Sequence, residues 1–332
     1  MHLHPLILAA GRGTRMRSKR PKVLQEVGGR PMLAHVLDCC ATLRPQGIKT
    51  THPPLLVIGT GAQQVRTAAG NTVQYIEQTE QRGTGHAVAT ALAAAPQLTQ
   101  KDALVLILYG DVPLTRPATL EKVAAQATTG TLSLLTAELP DPTGYGRILR
   151  IAAGPVAGPV AGTVEAIIEH RDATPTQRKI REINTGIMAL PGPLLKQLLT
   201  AITPSKSGEL YLTAIAAAAT KAKIPIATTH PKSIAEILGA NDRHQLAALE
   251  AAHRRQQADK LLAAGATLID PARIDIRGQV QVGQDVHLDA NLHLAGRVIL
   301  GDNVQIEPNC VLIDTEVAAG AKIRAFSHLE GA

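Results

Sequence analysis

The chain has 332 residues, 45% of them hydrophobic and 18% charged, which is the make-up of a globular protein of about two domains. With no Trp, one Phe and four Tyr it lacks the stacking platforms of a single-strand nucleic-acid binder, and its net charge of +7 is spread over scattered basic residues that suit phosphorylated small molecules. Cys39, Cys40 and Cys310 form no disulfide framework, and no segment approaches the ~20 apolar residues of a membrane span, so the expectation is a cytoplasmic protein without membrane insertion.

In chain order, Leu6–Ala10 reads as a buried strand rather than a signal peptide, being short and without a basic lead-in. Helices are predicted over Pro31–Leu43, Ala62–Ala69, Thr84–Ala95 and Pro117–Ala127. Strands are predicted between and after them, over Leu55–Ile58, Val73–Glu77, Ala103–Leu108 and Thr131–Ala137. Strands that are apolar nearly throughout and separated by helices imply a parallel sheet covered on both faces, an α/β fold. Arg44–Pro54 and the Gly/Pro-rich Ala152–Gly162 read as mobile surface insertions. The stretch Ala240–Gly265 is strongly helical, with Leu246, Leu249, Leu261 and Leu262 on one side. It would reach about 36 Å at the helical rise, which suits a connecting arm, although an ordinary surface helix has the same pattern.

The last zone has a period of six. Apolar residues recur at Leu268, Ile274, Val280, Val286, Leu292, Val298, Val304 and Cys310, and after a one-residue slip at Val317, Ile323 and Leu329. A second apolar position follows two residues on, at Ile276, Val282, Leu288, Leu294, Leu300, Ile306 and Leu312. This pattern marks a parallel β-helix, of about three and a half coils at three hexads per turn. Gly283 and Gly301 fall where corners are tight. The predicted division is therefore 1–239 for the α/β domain, 240–265 for the arm and 266–332 for the repeats.

The chemistry begins at Leu8-Ala9-Ala10-Gly11-Arg12-Gly13-Thr14-Arg15-Met16, directly after the first predicted strand, where open parallel sheets carry ligand loops. Gly11 and Gly13 let backbone approach a phosphate, and Arg15 and Lys22 add cationic charge. Met16 replaces the third glycine of a dinucleotide fingerprint, and no Gly-Lys-Ser/Thr follows, so neither that motif nor a Walker loop is present. Gln78 and Gln81, just before a helix that Thr84 could cap, have amides able to read a pyrimidine edge. Asp111 stands at the carboxyl end of a strand, where a hard cation could sit. His86 and His170 lie inside motifs and are given no catalytic part.

The glycine segment followed by Pro21-Lys22, then Glu80-Gln81-Arg82-Gly83-Thr84-Gly85-His86, Tyr109-Gly110-Asp111-Val112-Pro113, Asp141-Pro142-Thr143-Gly144-Tyr145-Gly146-Arg147, Glu169-His170 and Glu182-Ile183-Asn184-Thr185-Gly186 resemble the signature of sugar-nucleotide pyrophosphorylases. With the hexads, the chain resembles the bacterial bifunctional N-acetylglucosamine-1-phosphate uridylyltransferase / glucosamine-1-phosphate acetyltransferase family over nearly its whole length. The resemblance implies a Rossmann-like nucleotide-diphospho-sugar transferase domain followed by a short left-handed parallel β-helix. It implies Mg²⁺-assisted transfer of UMP from UTP to N-acetylglucosamine 1-phosphate, giving UDP-N-acetylglucosamine, a cell-wall precursor, and pyrophosphate.

Residue by residue, the resemblance implies a catalytic set of Arg15, Lys22 and Asp111. The nucleotide would be held by Leu8, Ala9, Ala10, Gly11, Lys22, Gln78, Gln81, Gly83 and Thr84. The sugar would be held by Tyr109, Gly110, Asp111, Gly146, Glu169, Asn184, Glu209 and Asn241, and the metal by Asp111 and Asn241. The resemblance implies Asn at the position of Asp242, so Asp242 caps the arm helix or joins the metal's outer shell. A homotrimer through the β-helix is implied, without a nucleic-acid partner. Acetyl transfer belongs to later coils in the family, so none is expected of this chain. Two alternatives remain: a nucleotidyltransferase of other base or sugar specificity, and a non-catalytic oligomerisation module.

Overall fold

The computed structural model describes residues 1–127, 130–152, 162–205 and 208–332. These fall into two compact units, one made of Met1–Leu24 and Met32–Gly239, the other of Gln25–Pro31 and Ala240–Ala332.

The first unit is built on a ten-stranded sheet. Its strands are β1 (His2–Leu8), β2 (Leu55–Ile58), β3 (Gln74–Glu77), β4 (Ala103–Tyr109), β5 (Leu132–Glu138), β6 (Gly146–Ala152), β7 (Gly162–Ile168), β8 (Glu182–Pro191) and β9 (Ile226–Thr229), together with the short Thr50–Thr51. The order runs β7-β6-β8-β4-β1-β2-β3, with β5 paired to β8 and β9. Strands β3, β2, β1 and β4 are mutually parallel, and the order reverses between β1 and β4. Helices α1 (Met32–Thr42), α2 (Ala62–Ala69), α3 (Thr84–Ala94), α4 (Pro117–Gln126), α5 (Gly192–Ala201) and α6 (Ala214–Lys221) supply most of the remaining regular structure. Two apolar clusters result, one holding Leu6, Leu8, Val105 and Ile107, the other Leu3, Ile7, Leu104 and Leu106. Successive residues of β1 and β4 thus go to opposite clusters, so both faces of these strands are covered.

The sheet is not wholly parallel as predicted. Strand β8 runs antiparallel to β4, β5 and β6, and β6 and β7 form an antiparallel pair. Strand β8 was not foreseen because Asn184, Thr185 and Gly186 interrupt its apolar run. Strand β1 starts at His2, not Leu6, and ends before Ala9 and Ala10. Pro5 is tolerated within it because β1 changes partner there: His2 and Leu3 pair with Thr50 and Thr51, and pairing resumes at Leu6 with Leu55. The proline's missing N–H falls in that gap. The predicted insertion Arg44–Pro54 is thereby stitched to the sheet, with Lys49 N–H donating to Met1 O (3.0 Å) and His52 N–H to Leu3 O (2.8 Å). The other predicted insertion, Ala152–Gly162, lies apart from its two end residues outside the described residues.

In the second unit α7 (Arg243–Ala263) starts at Asp242, whose Oδ1 accepts from Gln245 N–H at 2.9 Å. Leu249 and Leu261 are buried and Leu246 half-buried, whereas Leu262, predicted on the same side, is exposed. Ala258 and Leu261 join the core of the repeats, so the helix packs along the coils. The hairpin Glu26–Val27/Arg30–Pro31 belongs here too, with Gly28 N–H donating to Glu250 Oε2 at 2.8 Å and Arg243 to Gln25 Oε1 at 2.9 Å.

The repeats stack in parallel at 18-residue offsets, Ile274 over Leu292 and His293 over Val311. In the last coil the offset is 17, which places Val317 under Leu300, Ile323 under Ile306 and Leu329 under Leu312. Those three therefore continue the second apolar series, not the first. The first continues through the buried Thr315 and through Ala321, and the slip is one residue lost, not one gained. Gly283 and Gly301 do not have positive φ; a Cβ on either would meet the next coil's backbone, at 2.7 Å from Asp302 N and Ala319 N respectively. Left-handed corners fall instead on residues such as Asp285, Asn291, Asn303, Asn309 and Asp314.

Candidate active site

In open α/β sheets, ligands sit beyond the carboxyl ends of the strands where the strand order reverses. A cavity of about 300 Å³ lies at that place in the first unit. Leu8, Ala9, Ala10 and Gly11 line it from the end of β1, and Tyr109 and Asp111 from the end of β4. Gln78, Gln81, Gly83 and Thr84 come from the β3–α3 connection, Lys22 from the loop after β1, and Glu209 from the chain before α6. Every residue expected at the nucleotide thus borders one cavity. Val23 and Ala87 also line it and were not foreseen, although Ala87 stands one helical turn after Thr84.

Lys22 is brought in by Gly13, whose φ is +60° and whose Cβ, if present, would stand 2.7 Å from Lys22 Cβ. Lys22 Nζ reaches Asp111 Oδ2 at 2.5 Å, both side chains being largely buried. Gly11 has nothing within 4 Å of its would-be Cβ, leaving open room for a ligand against the turn. Arg15 does not line the cavity; it is exposed on the single turn Thr14–Met16.

Gly83, not Thr84, is the N-cap of α3. Its φ is +103°, and the space of its Cβ is taken by Leu210 O, 2.6 Å away, so close chain approach is the reason for this glycine here. Thr84 Oγ1 accepts from Leu212 N–H at 3.1 Å, and Gly85 N–H donates to Leu210 O at 2.8 Å. These bonds bring residues 209–212 to the start of α3, and Glu209 with them. Its carboxylate accepts from Arg171 at 2.8 Å in an exposed pair.

Of the remaining sugar-side residues, Gly110, Gly146, Glu169 and Asn184 stand around the same strands but do not line the cavity. Gly110 is buried and packs near Val23 and Ala9, 3.2 and 3.3 Å from its would-be Cβ. Gly146 opposes Asn184 across β6 and β8. Asn184 is buried with its Oδ1 unpartnered, an atom awaiting a donor. Glu169 accepts from Thr213 at 2.8 Å. Burial, then the charges of Glu169 and Asp111, push the Tyr109 phenol well above its ordinary range, against a hydrogen bond with Thr84 that lowers it, so it stays neutral. Tyr109 needs Gly186, with φ +86°, because its ring fills the place of a Cβ there. Asn241 belongs to the second unit, where its N–H donates to Gln245 Oε1 at 2.7 Å.

Among the described residues no three His, Cys, Asp or Glu side chains are arranged to hold a metal. The carboxylate of Asp111 at this cavity instead suits a hard cation that takes most of its oxygens from substrate and water.

Comparison with known proteins places the chain in a family. Residues 5–175 match the MobA-like NTP transferase domain family, and residues 279–314 match the bacterial transferase hexapeptide family of six repeats. The chain is 48% identical over 334 residues to the bifunctional protein GlmU of Stutzerimonas stutzeri (strain A1501), covering all of this chain and 70% of that protein. The chain belongs to the GlmU family.

The GlmU protein of Marinobacter nauticus (strain ATCC 700491 / DSM 11845 / VT8) is likewise 48% identical, over 99% of this chain and 69% of the relative. Among solved structures, a UDP-glucose pyrophosphorylase complexed with UDP-glucose superposes with a TM-score of 0.57 at 15% identity, covering 77% of this chain and all of that one. A nucleotidyl transferase from Methanothermobacter thermautotroptrophicus gives 0.52 at 16%, over 76% of this chain and 98% of that one. At such identities these two speak for the fold alone. As a GlmU-family chain, this protein is a nucleotidyltransferase that carries hexapeptide repeats.

Proposed function

We propose that the chain transfers UMP from UTP to N-acetylglucosamine 1-phosphate, forming UDP-N-acetylglucosamine and pyrophosphate. What supports the reading is the meeting of a glycine turn, two glutamines and the Lys22–Asp111 pair on one cavity beside the β1/β4 reversal. On this reading Gln78, Gln81, Gly83 and Thr84 hold the uracil, and the turn at Leu8–Gly11 holds the phosphates. Gly146, Glu169, Asn184 and Glu209 hold the N-acetyl sugar, the bare Asn184 Oδ1 taking a donor from it.

The sugar phosphate is ionised at neutral pH, so no protein nucleophile is required. Its oxygen attacks the α-phosphorus of UTP as the bond to the departing pyrophosphate breaks on the opposite side. Lys22 and Arg15 neutralise the charge that gathers on the α-phosphate and the leaving group, and catalysis is positioning plus electrostatics. Mg²⁺ would be held by Asp111, with Asn241 as the second protein oxygen the family resemblance implies, and would supply Lewis-acid charge neutralisation. The enzyme on this reading is cytoplasmic and a homotrimer through its repeats.

Pyrophosphate release measured across a panel of nucleoside triphosphates and sugar 1-phosphates tests the proposal. The expected result is a marked preference for UTP with N-acetylglucosamine 1-phosphate. Preference for another pair would replace the substrate assignment, and no release with any pair would remove the enzymatic one.

A further inference from the structure

We infer that His86 sets the base selectivity of this cavity by holding the Gln78 amide in one orientation. The inference rests on the uridylyl-transfer reading and adds to it a residue outside the cavity lining.

Gln78 is 3% exposed and lines the cavity. Its Nε2 stands 2.8 Å from His86 Nδ1 and 3.4 Å from Gly83 O. A terminal amide has a donor side and an acceptor side, and turning it over exchanges them with almost no change of shape. Gly83 O can only accept, so it selects the orientation with the NH₂ turned toward α3. The second N–H then goes to His86 Nδ1, which accepts it with the ring proton on Nε2. Both N–H groups are thereby used, and what Gln78 has left for a ligand is Oε1.

An outward acceptor discriminates between the pyrimidines. Uracil has a donating N–H at ring position 3, whereas cytosine has a bare acceptor nitrogen there. Against Oε1 the first makes a hydrogen bond and the second sets two acceptors against each other. The contact to Gly83 O is long, and the shorter one to His86 is the stronger restraint. Without His86 only the long contact to Gly83 O resists turning, and a turned amide welcomes cytosine.

The test compares kcat/KM for UTP and for CTP in the wild type, His86→Phe and His86→Asn, with a melting curve for each. Phe keeps a ring but has no acceptor, whereas Asn carries Oδ1 at the same covalent distance as Nδ1. The UTP:CTP ratio is expected to fall about tenfold or more in His86→Phe, the discrimination of roughly one hydrogen bond, and to be retained in His86→Asn. Equal losses for both nucleotides in His86→Phe, with the ratio unchanged, would mean a merely structural histidine and overturn the inference. A ratio lost in His86→Asn as well would overturn it too, since the acceptor would not be what matters. A wild-type chain that does not use UTP is a separate outcome, which sinks the functional reading and this inference with it.

Discussion

At the scale of single residues, the cavity holds one close pair of opposite charges, Lys22 and Asp111, and the two should fail differently when removed. On the proposed reading, Asp111→Ala takes away the carboxylate meant for the cation and breaks the ion pair with Lys22, so turnover should nearly vanish. Lys22→Ala keeps the carboxylate and loses one stabilising charge on the phosphates, a change on the order of 10²–10³-fold in kcat. Steady-state pyrophosphate release with both variants checks this; a Lys22→Ala enzyme of normal kcat would remove the lysine from the chemistry. Asn184 offers a finer measurement. Its unpartnered Oδ1 predicts that Asn184→Ala raises KM for the sugar phosphate by about tenfold, with little change in KM for UTP, because only the sugar loses a bond.

At the scale of elements, the coil-to-coil spacing makes its own demand. A Cβ at Gly278 would run into the Gly296 backbone of the next coil, and no flexible side chain stands there to give way. Gly278→Ala should therefore destabilise the repeat unit by about 1–3 kcal/mol, read as a lower melting temperature with uridylyl transfer still measurable below it. The same elements show what patterning reveals. Leu55–Ile58 and Ala62–Ala69 are found at their predicted bounds, because short apolar runs and Ala-rich turns carry their period within a few residues. The start of β1 was hidden because His2, His4 and Pro5 do not look like a buried strand; they become one by pairing with β4 on one side and Thr50–Thr51 on the other, with His4 stacked on His52 at 4.3 Å. In the repeats the period was visible but the sense of the slip was not. Val317 fits either series by type, and only pairing with Leu300 decides.

The whole molecule follows from which parts are local and which are not. Most of the cavity lining was legible because its residues lie in short motifs at the ends of β1, β3 and β4, whereas the approach of residues 209–212 to α3 depends on hydrogen bonds between distant segments. Stability has a pH dependence that also arises away from the cavity. Burial, with His52 and His2 as like-charged neighbours and Asp102 opposing them, lowers His4 from 6.5 to about 4. The folded chain then binds fewer protons than the unfolded one between those values. Its stability is full above pH 6.5 and is lost as the pH falls toward 4. Melting temperatures from pH 7 to 5 should drop less steeply in His4→Phe than in the wild type; identical slopes would exclude His4 as the source. The assembly itself is checked by sedimentation, where a trimer mass is expected.

The hairpin at Gln25–Pro31 has a consequence for anyone dissecting this polypeptide. Sequence order and structural membership disagree there, since seven early residues are counted with the late unit and are tied to it through Glu250 and Arg243. A fragment ending at Gly239 would keep the hairpin and discard both anchors, leaving Gly28 N–H without its Glu250 acceptor. A cut at the boundary of the two units would therefore leave a loose flap three residues after Lys22.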